Sequence, residues 1–73
     1  MTSALLIVIV CMSLPGSDDP PDCMQAVEAA ETMHACVTEL APLYKAALAH
    51  TVQELPQLVY EIRQFECVAD EGA

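Results

Sequence analysis

The sequence predicts an all-α fold, a small three-helix up-down-up bundle stapled by a disulfide. Three observations predict it. Apolar residues beyond position 22 recur every three or four positions, the spacing of one helix face. Pro42 and Pro56 divide that pattern into three stretches. No period-two alternation, internal repeat or low-complexity tract stands out against it. If Pro56 only bends the chain, the alternative is a kinked helical hairpin.

The first helix is expected from Asp22 to Leu40. Asp22 suits an N-cap, and Gln25 three positions on completes a capping box. Cys23, Ala26, Ala30, Met33, Val37 and Leu40 form its apolar stripe. Pro42 fits the first turn of a second helix, Leu43 to Leu55, where its missing N–H costs nothing. Tyr44, Leu48, Val52 and Leu55 line that helix. A third helix, Gln57 to Ala69, sets Leu58, Ile62, Phe65 and Ala69 on one face, and Asp70, Glu71 and Gly72 end it. Residues 22–70 thus form a helical domain. Residues 17–21 form a Pro/Asp linker, within a run of turn residues that starts at Pro15.

The N-terminal part differs. Met1 to Ser17 carry no charged side chain, and Ala4 to Met12 is one apolar run. It is shorter than the roughly 20 residues that cross a bilayer, and it fits the h-region of a signal peptide, about 7–15 residues. Residues 1–16 are therefore expected to be a signal peptide, cut near Ser13–Gly16, or a short apolar N-terminal segment. Met1-Thr2-Ser3 lacks the basic side chain typical of a leader. A retained segment would associate with a membrane through residues 4–14, pack into a larger assembly, or be buried in this small domain.

Without residues 1–16, a body of about 57 residues is marginal unless stapled. The staples on offer are Cys11, Cys23, Cys36 and Cys67, so the expected compartment is oxidising and the protein secreted. Cys36–Cys67 is the preferred pair, because both lie off the apolar stripes of parallel helices. In the hairpin, Cys23 becomes the better partner of Cys67. A Cys23–Cys36 bond within one helix is excluded: thirteen steps of about 1.5 Å separate them by roughly 20 Å. Cys23 is then left for Cys11 or for a second copy, as a disulfide-linked homodimer.

The net charge is −9, with Lys45 and Arg63 the only basic residues. Phosphate contacts need Lys and Arg, so nucleic acid is not expected as a partner. There is no asparagine and hence no N-glycosylation site. His34 and Cys36 are the one close His/Cys pair, but positions i and i+2 of a helix do not face each other. No paired Cys/His motif marks a zinc site. His34, Cys36, His50 and Cys67 converge only if the fold is assumed. Glu28 with Glu31, and Glu61 with Glu66, are read as solvated helix faces. Two glycines, Gly16 and Gly72, make no phosphate loop. No enzyme, cofactor or metal is expected.

Tyr60, Arg63 and Cys67 share the third helix's face opposite its stripe. Tyr60 and Arg63 are the candidate partner-binding residues, since Tyr and Arg are favoured at interfaces. Asp22-Cys23-Met24-Gln25-Ala26 and the later Cys36 loosely resemble the small acidic secreted helical pheromones of ciliates. The resemblance covers under a third of the chain and that family is much richer in cysteine, so no membership is assigned. The expected function is that of a small acidic secreted helical protein that binds a protein partner as a signal, toxin or effector. The alternative is a non-catalytic accessory subunit of a larger, membrane-associated complex. A third reading, a carrier of an apolar ligand, is opposed by the small core, because ligand pockets usually need about 300 Å³.

Overall fold

Residues 3–70 are described in the structure, a computed structural model. Met1 and Thr2 of the expected leader, and Glu71 and Gly72 at the expected helix end, lie outside the described residues.

The apolar run Ala4–Met12 lies in the central strand. β1 (Ser3–Ser13) pairs antiparallel with β2 (Asp22–Ala30) on one side and β3 (Val59–Asp70) on the other, giving the sheet order β2-β1-β3. Ile7, Val8, Ile9 and Val10 are β-branched, which suits a pleated and half-buried surface. Burial alternates along β1: Ala4, Leu6, Val8 and Val10 are buried, while Leu5, Ile7 and Ile9 between them are half-buried. A period of two sends these sets to opposite faces of the sheet.

Leu14-Pro15-Gly16-Ser17 opens the connection from β1 to β2. Ser17 N donates to the Leu14 carbonyl (3.2 Å), and Gly16 has φ +76°. Proline followed by a left-handed glycine is the signature of a type II turn. The following stretch adds a bond from Asp19 N to Ser17 Oγ (3.1 Å).

One continuous helix of 22 residues covers one face of the sheet. It comprises Met33–Ala35, a wide π-helical stretch Cys36–Leu40, and Ala41–Glu54. Thr32 caps it, its Oγ1 accepting from Ala35 N (3.0 Å). The wide stretch explains how the helix passes Pro42. An interior proline removes one i→i−4 bond and crowds the preceding turn. Here Ala41 N donates to the Cys36 carbonyl, five residues back, so the ladder has already shifted before the proline. The helix ends where Leu55 N donates to Thr51 O (3.2 Å), just before Pro56. No helix among the described residues is long and apolar enough to cross a membrane.

Ala4, Leu6, Val8, Val10 and Cys36 form the core, and Leu40, Tyr44, Leu48, Ala26, Phe65 and Tyr60 pack around it. Burying a side chain such as Leu6 contributes about 1.5–3 kcal/mol.

This architecture overturns the expected all-α bundle and the kinked hairpin alike. Three antiparallel strands and one helix are present instead. The expected first helix is a strand up to Ala30, and the expected third helix is β3 from Val59 onward. The physical reason is β1. A long apolar strand leaves unpaired N–H and C=O groups on both edges, and burying them without partners is costly. Pairing on both sides outweighs the helix propensity of Ala26, Glu28, Ala29 and Ala30, which is only tenths of a kcal/mol per residue. A disulfide-linked homodimer through Cys23 is also overturned. Cys23 bonds to Cys11 of its own chain and Cys36 to Cys67, leaving no free cysteine.

Candidate functional site

The strand register distributes side chains between two faces. On the helix side of β1, Leu6 stands opposite Cys67 and Val8 opposite Phe65 and Ala26. On the other side, Leu5 is opposite Ala29 and Val68, Ile7 opposite Val27 and Glu66, and Ile9 opposite Gln25 and Gln64. Among the described residues, no layer covers this second face. Val27 is 50% exposed, and Leu5, Ile7 and Ile9 reach only half-burial at the centre of the sheet. The face therefore has an apolar middle, Leu5-Ile7-Ile9 with Val27 and Val68.

Its frame is acidic on one side. Glu66, Glu61 and Asp70 stand opposite Ile7, Cys11 and Ser3, all along β3. Glu61 lies 3.4 Å from the Arg63 guanidinium, an exposed pair of little energetic weight. Glu66 accepts a hydrogen bond from Gln64 Nε2. Carboxylates on an edge strand also discourage edge-to-edge pairing with other chains.

The two disulfides lie on opposite faces. Cys11 and Cys23 are cross-strand neighbours on the open face. Cys36 and Cys67 join the helix to β3 on the packed face. Cys36, bonded to Cys67, supplies no thiolate for His34 to activate. His50 sits at the exposed helix surface, 3.0 Å from Glu54. Among the described residues, no group of three or more His, Cys, Asp or Glu is placed to hold a metal.

Tyr60 and Arg63 are not brought into one patch. A register shift in β3 opposite Ile9/Val10 separates them. Arg63 is exposed beside Glu61, whereas Tyr60 stands opposite Met12 and packs against the core. The Tyr60 hydroxyl is shut off from solvent and has no hydrogen-bond partner among the described residues. Such a group costs about 1–3 kcal/mol.

Tyr60 also lines a cavity of about 180 Å³ between helix and sheet, with Val8, Val10, Met24, Tyr44 and Leu48. Two more open hollows, of about 290 and 300 Å³, lie under the Leu14–Pro20 loop and beside Glu31 and Glu39. The open sheet face and the Tyr60 cavity were both missed in the sequence. The first had a signal: alternating buried and open positions are what β-branched residues in Ala4–Met12 offer if the run is a strand.

Fold and site together define a small α+β protein, stapled by two disulfides, with one sheet face uncovered. Comparison with protein-family models, with curated proteins and with solved structures finds no match.

Proposed function

We propose that this is a non-catalytic binding protein of an oxidising, extracytosolic compartment, which recognises a protein partner through the open face of its sheet. The observation that supports this reading is the uncovered row Leu5, Ile7 and Ile9, flanked by Val27 and Val68 and bordered by Glu61, Glu66 and Asp70. An apolar centre with a polar rim is the make-up of a recognition surface. The complementary partner presents apolar side chains flanked by Lys or Arg. A net charge of −9 draws such a partner in over long range and opposes pairing with a second copy of the same chain. The two disulfides favour secretion, since such bonds persist in oxidising compartments.

The test uses two synthetic amphipathic peptides of matched apolar content, one with Lys and one with Glu at its polar positions. The expected result is that the Lys peptide perturbs the NMR signals of Leu5, Ile7, Ile9 and Val27, and that salt weakens its binding. The variant Ile7→Thr should weaken it about tenfold. Equal binding of both peptides, perturbations confined to the helix, or a stable dimer by sedimentation would each contradict the reading.

A further inference from the structure

We propose that the outer edge of β2 takes up an extended segment of a partner protein as a fourth strand, and that this segment alternates apolar residues with Lys or Arg. This does not depend on the Leu5-Ile7-Ile9 row, which lies on the face of the sheet rather than at its edge.

The backbone carries the first argument. β2 ends the sheet order β2-β1-β3, so one of its sides has no neighbouring strand among the described residues. Cys23 faces Cys11 with their Cα atoms 3.9 Å apart. Facing residues of an antiparallel pair lie about 5.5 Å apart where they exchange hydrogen bonds and about 4.5 Å apart where they do not. Cys23 therefore aims its N–H and C=O outward, and the alternation repeats this at Gln25, Val27 and Ala29. All four residues are exposed. They form a regular row of donors and acceptors, which is the template for strand addition.

The other edge differs. β3 carries Glu61, Arg63 and Glu66, and its register skips Arg63 between Ile9 and Val10. Charges and bulges are the devices that keep edge strands from pairing. β2 has no break in register, no proline and no lysine, and Asp22 and Glu28 are its only charged residues.

The charges select the occupant. Glu28 stands opposite Leu6, on the helix side of the sheet. Glu31 and Glu39 line the hollow of about 300 Å³ at the Ala29–Ala30 end of β2, together with Leu40 and Leu43. Among the described residues, none of these three carboxylates has a cationic partner. A Lys or Arg on the helix side of the added strand would lay its stem on Leu40 and Leu43 and bring its charge to Glu31 and Glu39. The alternate side chains would lie beside Val27, which is apolar and 50% exposed. A second copy of this chain would instead add another net charge of −9.

The experiment titrates the oxidised full chain with the peptide Lys-Val-Lys-Val-Lys-Val-Lys and follows amide hydrogen exchange by NMR. Exchange at Gln25, Val27 and Ala29 is expected to slow at least about tenfold, with Phe65 and Cys67 on β3 unchanged. Facing residues share a side of the sheet, so the valine amides are the ones that meet β2. N-methylation of the valines should abolish binding, and N-methylation of the lysines should weaken it less than about threefold. Glu28→Gln/Glu31→Gln should weaken the unmodified peptide about fivefold. Val27→Pro removes an outward N–H without touching the ladder to β1 and should abolish the protection. If that variant fails to fold, the methylated peptides decide. The proposal is overturned if β2 gains no protection, if protection appears on β3 instead, or if both methylated peptides bind equally. Protection of β2 that grows with protein concentration alone also overturns it, because the occupant is then a second copy. Peptide shifts at Leu5, Ile7 and Ile9 without protection of β2 would overturn the added strand and leave the open-face reading standing.

Discussion

Cys36 and Cys67 lock the widened turn of the helix to the strand residue opposite Leu6, with their Cα atoms 6.1 Å apart and 31 positions between them in sequence. Cys11 and Cys23 close a loop of only 12 positions, between strands already joined by a turn. In the chain-entropy model these bonds contribute about 3.7 and about 2.8 kcal/mol. Cys36→Ala/Cys67→Ala should therefore lower stability more than Cys11→Ala/Cys23→Ala in urea unfolding. The reverse order would mean that the helix is not fastened to the core in this way.

Leu6 and Ile7 are neighbours with opposite roles. Leu6 is fully buried under the helix, and Ile7 is half-buried on the open face. Leu6→Ala should cost about 2–5 kcal/mol. Ile7→Thr keeps a β-branched residue in the strand and should cost less than about 1.5 kcal/mol. Denaturant midpoints of the two variants check this. Equal losses would show that both faces of β1 are covered.

Gly16 has φ +76°, and no atom would obstruct a Cβ there. The cost of Gly16→Ala is thus conformational alone, about 1 kcal/mol. Gly16→Asn should cost less, because asparagine tolerates the left-handed region. Thermal unfolding of both variants measures the difference.

Thr32 accepts a hydrogen bond from Ala35 N (3.0 Å) at the start of the helix. Thr32→Ala should lose about 1 kcal/mol, and Thr32→Ser should retain nearly all of the stability. Urea titrations distinguish them; equal losses would point to the threonine methyl rather than its oxygen.

The middle of the chain was the most legible. Tyr44 and Leu48, read as part of a helical stripe, do pack against the core. Pro42 misled, because the π-helical stretch before it allows the helix to continue. Residues 22–30 were misread because Cys23, Ala26 and Ala30 also occur at helical spacing, and only the register with β1 decides between the two periods. β3 carried a usable signal in Val59, Tyr60, Ile62, Phe65 and Val68, all strand-favouring types. The register shift hid it by breaking the alternation in mid-strand. The Tyr60 hydroxyl was beyond reach of the sequence, since its isolation depends on how the helix crosses the sheet.

The apolar run Ala4–Met12 bears most weight, because cleavage near Ser13–Gly16 would remove the central strand and the partner of Cys23. Peptide mapping of the unreduced natural protein tests this most directly. The expected result is a mature chain that keeps residues 4–12, with Cys11 joined to Cys23 and Cys36 to Cys67. A mature chain that begins beyond Cys11 would contradict the fold, and four free thiols would contradict the oxidising compartment.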